Sequence, residues 1–367
     1  MPRILFNMPS QYAGRPSGVA RMALELLDNL IGKGGFEYTL RSPWAREHLP
    51  QSLKTKPLEL ITLPRFASAG FGVVQQSLTF PFVCRRHGID LVVNLDPYGS
   101  ASGGRARMMI VHDIYFRTIP KQISRRAAFT NGVIMWLMLR GNSEIVAVSD
   151  ATKRDVEFWY PETKGRVTTI HSATSIQPVA AEDVPREIAG PYVIAVGNPT
   201  ENKNFRVLAE AMATLYRSNP GLSLVHVGDD RNEVIAETLK KLGSELPLIR
   251  LSGIDDRRLA GLYRHATCLC VPSLYEGFCL PVLEAQVCGC PVVCSDRSAT
   301  PEIAGKGAML FDPTSPSALV ACLERVLQDG AISDQLIQLG HENASRFSWE
   351  IAARQYQAVF ERLLAKS

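Results

Sequence analysis

The chain has 367 residues, room for about two domains, and its 46% apolar and 21% charged residues are those of a globular protein with a large core. With 40 basic against 36 acidic residues the formal charge is only +4, which argues against a nucleic-acid partner. No apolar run approaches the ~20 residues that span a bilayer; the longest, "VIMWLML" from Val133 to Leu139, is far shorter.

The first residues, "MPRILFNMPSQY", pass straight into a strand-like run with no apolar leader, so a cytoplasmic location is expected. "RILFNM" reads as a buried strand and "QYAGRPSG" as a loop. A helix follows with apolar residues at Val19, Ala23, Leu26, Leu27 and Leu30, and "GKGG" stops it. "YTLRS", "LELITL", "IDLVVNL", "RMMIVHD", "EIVAVS" and "VTTIHS" are further strands. After Ser175, "IQPVAAEDVPREIAGP" has Pro and acids but no periodicity, and reads as a linker. Beyond it "YVIAVGN", "LSLVHVGDD", "LIRLSG", "TCLCVPS", "CPVVCSD" and "AMLFD" are strands separated by helix-length segments.

Strand–helix alternation predicts parallel sheets covered on both faces. The expected fold class is α/β, two Rossmann-like domains facing a cleft, at residues 1–178 and 188–347. The last stretch, 348–367, has helical periodicity at Ile351, Tyr356, Val359 and Leu363 and is expected to pack back on the first domain. The eight cysteines lack the paired two-residue gaps of a zinc site and are expected to be small buried apolar residues in a reducing compartment.

In open α/β sheets ligands lie beyond the carboxyl ends of the strands, so the loops there carry the chemistry. "SLYEGFCLPVLEAQVCGCPVV" runs from a strand end into a short helix with Pro281 in its first turn and Gly289 at its end. The amides near Phe278, Cys279 and Leu280 then open a helix N-terminus suited to phosphate. Glu276 is placed to accept from sugar hydroxyls and Glu284 from a ribose; alternatively, both simply complement the helix dipole. In "VGNPTENKNF", Asn204 is an N-cap candidate, and Lys203 is either a diphosphate contact or a solvated loop lysine. "YAGRPSGVAR" has Gly14 and Gly18 outside G-x-G-x-x-G spacing, with Arg15 and Arg21 adding charge. "IVHDIYF" puts His112 and Asp113 at a strand end, for function or for structure. The stretch from Pro120 to Gly141 mixes Lys121, Arg125, Arg126 and Arg140 with Phe129 and Trp136. It is either an interfacial helix meeting anionic lipid or a core helix with basic flanks, and the continuous apolar run favours the second.

Together these loops resemble the retaining glycosyltransferases of family four, on the GT-B fold, and bacterial mannosyltransferases in particular. The densest likeness runs from Leu262 to Gly305, where Glu-Gly-Phe-x-Leu-Pro, Glu-Ala and a Gly-x-Pro-Val-Val strand follow in order. The resemblance implies that Glu276 holds the donor sugar near its C3 hydroxyl and Glu284 the ribose. It also implies that the backbone of Gly277, Phe278, Cys279 and Leu280 holds sugar or phosphate oxygens. Lys203 and the loop of Gly14 to Gly18 would meet the diphosphate, and His112 the C6 hydroxyl. His112, Glu276 and Lys203 are thereby the catalytic candidates.

Three departures stand out. Cys279 replaces a glycine, "IHSATS" stands where relatives often have an Asn-Gly turn, and Asn198 and Asn202 occupy the places of the arginine that partners the lysine. Arg15 and Arg206 are the candidates for the lost charge. The implied reaction needs no metal and no cofactor besides the nucleotide-sugar donor, best read as GDP-mannose. The implied acceptor is a glycan or lipid-linked saccharide, handled by a cytoplasmic protein at the inner face of the membrane. A UDP-sugar donor, or a catalytically silent binding protein of the same fold, are the alternatives; with no glycine fingerprint after any strand, an NAD-dependent oxidoreductase is poorly supported.

Overall fold

The structure, a computed structural model, describes residues 1–9, 18–63, 79–95, 99–119 and 124–366. It divides into two compact units, Met1–Ala173 with Ser348–Ser367, and Thr174–Phe347.

The first unit is built on a seven-stranded parallel sheet: β1 (Arg3–Asn7), β2 (Glu37–Ser42), β3 (Leu58–Thr62), β4 (Leu91–Asn94), β5 (Ala106–Val111), β6 (Glu144–Ala147) and β7 (Val167–Thr169), in the order β3-β2-β1-β4-β5-β6-β7. Ile4, Leu5 and Phe6 are fully buried in succession, as are Val92 and Val93, so these strands are covered on both faces. The helix Trp349–Ala365 belongs to this unit and packs on the helix Gly18–Leu30. Ser348 caps it, Phe360 meets Phe6 edge to face at 6.4 Å, and Arg362 pairs with Glu144 at 2.8 Å. Its buried face runs through Ala352, Tyr356, Val359 and Leu363; Ile351, expected on that face, is exposed, one position round the helix from Ala352.

The second unit has a six-stranded parallel sheet: β8 (Tyr192–Val196), β9 (Ser223–Val227), β10 (Leu248–Leu251), β11 (Cys268–Val271), β12 (Val292–Ser295) and β13 (Met309–Phe311), in the order β10-β9-β8-β11-β12-β13. The segment expected to be a linker packs on this unit instead. Val184 and Ile188 are buried, the Val184 carbonyl bonds His265 Nε2 at 2.9 Å, and Glu187 takes Arg258 Nε on both oxygens at 3.0 Å. Two apolar side chains in a run of polar ones were enough to anchor it. Seven of the eight cysteines are buried, Cys322 partly so, and all are free; burial pushes their thiols up.

Candidate functional site

Strand order reverses between β8 and β11, the switch point of the second sheet, where the loops after both strands leave the same edge. The loop after β8 begins at Gly197, whose φ of +123° suits glycine. Its carbonyl bonds His226 Nε2 at 2.7 Å, which assigns the imidazole proton to Nε2. A Cβ on Gly228, at the same place after β9, would run into that carbonyl. The chain then passes over Gly197 again: the Lys203 side chain lies against it, its Cε 3.5 Å from where a Cβ would stand.

Lys203 reaches across the switch point. Its Nζ donates to Glu276 Oε1 at 2.7 Å, and Ser273 Oγ donates to the same oxygen at 2.6 Å. The Glu276 side chain is 10% exposed and that of Lys203 21%, so the pair is largely desolvated and the solvated-lysine alternative fails. The Glu276 carbonyl is held in turn by Ser298 Oγ at 2.6 Å. A partly buried ion pair with an extra hydroxyl donor is well enough satisfied to be stable, and breaking it leaves a buried charge uncompensated.

The asparagines are structural struts. Asn202 Nδ2 donates to the Tyr275 carbonyl at 3.2 Å and its own carbonyl accepts from Leu274 N at 2.7 Å, which ties the lysine loop to the glutamate loop. Asn198 Oδ1 accepts from Asp229 N at 2.9 Å, tying the loop after β9 to the same place. Asn204 does not cap with its side chain as expected. It sits in the left-handed region at φ +55°, and its Nδ2 donates to the carbonyls of Pro272 and Pro313 instead, at 3.1 and 2.8 Å. Held by Nδ2 to these two carbonyls, the side chain does not turn its Oδ1 back to accept from a helix N–H.

The helix Leu280–Val287 starts four residues after Glu276, with Pro281 in its first turn. Pro281 has no N–H and Val282 N donates to the Cys279 carbonyl at 3.2 Å, so the opening donor this helix end offers beside the glutamate loop is the Leu280 amide. Cys279, just before it, takes φ +83°, and its side chain is turned into the protein at 4% exposed. The backbone therefore follows the path a glycine would give, and the thiol does not project outward. Phe278 is also buried and stacks edge to face on Phe347 at 6.1 Å. Glu284, buried in the second turn, accepts from Tyr263 OH at 3.0 Å. That is too far along the helix for the dipole to explain it. Burial, and then the Glu284 carboxylate, raise the Tyr263 phenol well above its usual value, so it stays a donor.

Among the described residues, the four non-glycine residues with positive φ are Asn204, Glu233, Cys279 and Ser298. All four stand in loops that follow strands of the second sheet, after β8, β9, β11 and β12. Left-handed backbone costs of order 1–3 kcal/mol at each such residue and concentrates at functional sites.

The other sequence candidates are distributed as follows. Arg206 is exposed in the first turn of the helix Phe205–Tyr216, with no ion pair among the described residues. Gly14 and Arg15 lie outside the described residues. Gly18 opens the helix Gly18–Leu30 in open space. His112 follows β5 in the first unit, and its ring bonds the Leu95 carbonyl at 3.1 Å through Nε2. Burial lowers its pKa to about 4, so it is neutral at pH 7, with Nδ1 as the acceptor nitrogen. Unfolded, the same histidine titrates near 6.5, so the unfolded chain binds more protons between those values, and stability falls as pH drops through them. By pH 5 His112 is expected to have cost about 2 kcal/mol relative to pH 7. Urea unfolding of wild type and His112→Gln at both pH values measures it: the wild-type loss should exceed the variant's by that amount.

Sequence reading missed Ser273, Ser298, Tyr263, Gly197 and His226. Only the glycines offered a signal, since "VGN" and "VGD" place Gly197 and Gly228 at equivalent strand ends.

Residues 182–343 match the family model described as Glycosyl transferases group 1. The O-antigen chain mannosyltransferase B of Escherichia coli is 34% identical over 163 residues, 43% of this chain and 42% of its own. The MMP alpha-(1->4)-mannosyltransferase of Mycolicibacterium hassiacum is 40% identical over 119 residues, 31% of this chain and 29% of its own. The chain therefore matches less than half the length of either relative. Sucrose-phosphate synthase from Thermosynechococcus elongatus superposes with a TM-score of 0.80 at 20% identity, covering all of both chains. The second unit is a glycosyl transferases group 1 domain, and the fold, two Rossmann-like parallel-sheet units, is of the GT-B kind.

Proposed function

We propose that the protein is a retaining glycosyltransferase that moves a hexose, mannose from GDP-mannose, onto a glycan or lipid-linked saccharide with α-linkage. The observation that carries this reading is the Lys203–Glu276 pair, which stands at the switch point of β8 and β11 just ahead of the helix Leu280–Val287. The mannosyltransferase relatives support the choice of sugar.

In this reaction the bond from the sugar's anomeric carbon to the diphosphate oxygen breaks and its electron pair leaves with the nucleotide diphosphate. The acceptor hydroxyl oxygen bonds the same carbon from the same face, and its proton goes to the departing phosphate oxygen. The growing negative charge is the part a protein can stabilise most. Lys203 supplies a held cation, and the Leu280 amide at the helix N-terminus supplies a donor that needs no reorganisation. Glu276 uses Oε1 for Lys203 and Ser273, which leaves Oε2 to a sugar hydroxyl. Glu284 offers a carboxylate already steadied by Tyr263 to a ribose. The charge neutralisation is assigned to Lys203 and the helix-end amide.

Thermal unfolding with GDP, UDP, ADP and NAD in turn, with EDTA present, tests the donor. A ligand at a hundred times its Kd adds about 2.7 kcal/mol, enough to move the midpoint. A shift with GDP alone is expected. A shift with UDP alone would replace the donor by a UDP-sugar. No shift with any nucleotide would favour a silent binding protein, for which Asn198 and Asn202 in place of an arginine are the motivating observation.

A further inference from the structure

The helix Arg125–Gly141 of the first unit has two apolar faces. Met135, Met138 and Leu139 are buried in the core with Ile145 and Val156. The residues that are exposed fall together on the other side, within about 140° of arc at 3.6 residues per turn. They include Phe129 at 72% exposed, Trp136 at 39%, Val133 and Leu137. Interleaved on the same arc are Arg125, Arg126 and Arg140, and the helix contains no acidic residue. Arg140 lies over the Trp136 ring at 4.6 Å. The core-helix expectation thus accounts for one face only.

The patch extends beyond this helix. Gly132, one turn from Phe129 and Trp136, leaves room for Arg117, whose guanidinium lies 5.9 Å from the Trp159 ring. Trp159 and Phe158 end the helix Asp150–Trp159, stacked edge to face at 5.4 Å; Phe158 is 74% exposed and Trp159 41%. The same helix carries Lys153 and the exposed Arg154 together with the acids Asp150, Asp155 and Glu157, and Glu162 is exposed just past it. Aromatic tips among arginines on a helix without acids, continued by the exposed Phe158 and Trp159 of the next, are what a lipid headgroup boundary accommodates.

We propose that this face docks the protein on an anionic bilayer, with Phe129, Trp136, Phe158 and Trp159 entering the headgroup layer and the arginines meeting lipid phosphates. No helix among the described residues is long and apolar enough to cross a membrane, so the contact is peripheral. A second copy is the poorer occupant, because a two-fold contact would set three arginines of one helix against three of the other. The proposal needs no donor, so it stands or falls apart from the glycosyltransferase reading.

The test is cosedimentation of the full chain with vesicles of phosphatidylglycerol in phosphatidylcholine, against phosphatidylcholine alone. Binding to the anionic vesicles only, weakened by salt and accompanied by a blue shift of tryptophan emission, is expected. The pair Phe129→Ser and Trp136→Ser should weaken it roughly tenfold or more. Arg125→Ala and Arg126→Ala should each cost roughly fivefold. All four positions are exposed, so the thermal midpoint of each variant should match wild type. Absence of wild-type binding, or equal binding by the variants, would overturn the proposal. A wild-type dimer that Trp136→Ser dissociates would give the face to a second copy and overturn it as well.

Discussion

Replacing Lys203 by alanine is expected to lower glycosyl transfer by roughly 10²–10³-fold and to destabilise the second unit at the same time. Two effects share one side chain. Lys203 Nζ is the cation assigned to the departing diphosphate, and it also neutralises a Glu276 carboxylate that is almost fully buried. Without it the carboxylate retains only Ser273 at Oε1. Breaking a buried pair costs about 3–5 kcal/mol; the residual exposure of Lys203 brings the expectation here to about 2–3 kcal/mol. The two effects separate in a double-mutant cycle. Glu276→Gln should cost less stability than Lys203→Ala, since the more exposed ammonium can turn toward water, and should reduce activity by removing an acceptor for the sugar. Lys203→Ala combined with Glu276→Gln should regain most of the lost stability and none of the activity. Rates with a saccharide acceptor and urea unfolding of the four proteins measure both axes. Full activity in Lys203→Ala would remove the switch-point pair from the reaction.

Adding a single methyl at Gly228 should be nearly as damaging. A Cβ there meets the backbone carbonyl of Gly197, not the end of a flexible side chain, so the loop after β8 must move. Moving it also pulls the His226 bond from that carbonyl and shifts the base over which Lys203 lies. Overpacking of this kind costs about 1–3 kcal/mol, and a displacement of about 1 Å at a reacting centre costs about 10²-fold in rate. Gly228→Ala should therefore lose activity well out of proportion to its loss of stability, read from the same two assays. Gly221→Ala, where a Cβ has open space, is the matched control and should stay close to wild type.

How much of this was legible beforehand depends on the range of the interaction. The thirteen strands among the described residues stand where the sequence pattern put them, and inner strands such as β1, β4 and β8 are apolar because both their faces are covered. The helix at Leu280 was readable from Pro281 and Gly289 for the same local reason. Ile351 was assigned to the buried face on periodicity alone, yet periodicity does not say which edge of the stripe the neighbouring helix covers. Asn204 has the residue type and place of an N-cap, but its amide is claimed by carbonyls 68 and 109 positions away. The segment after Ser175 looked like a linker because Val184 and Ile188 show no period, and what buries them is a helix more than 70 residues on. In the helix Arg125–Gly141 an unbroken apolar run was compatible with two opposite readings until burial divided it.

The sequence by itself determined the α/β alternation, the apolar strands and the identity of the residues placed at strand ends, since these depend on neighbours a few positions apart. Tertiary structure alone decided that Lys203 pairs with Glu276, that Ser273, Ser298 and Tyr263 hold the two acids, and that Cys279 turns inward. The reason is physical: parallel strands are adjacent in the sheet but far apart in the chain. A bond between the loops that follow them is fixed by strand order and register, which no local pattern encodes.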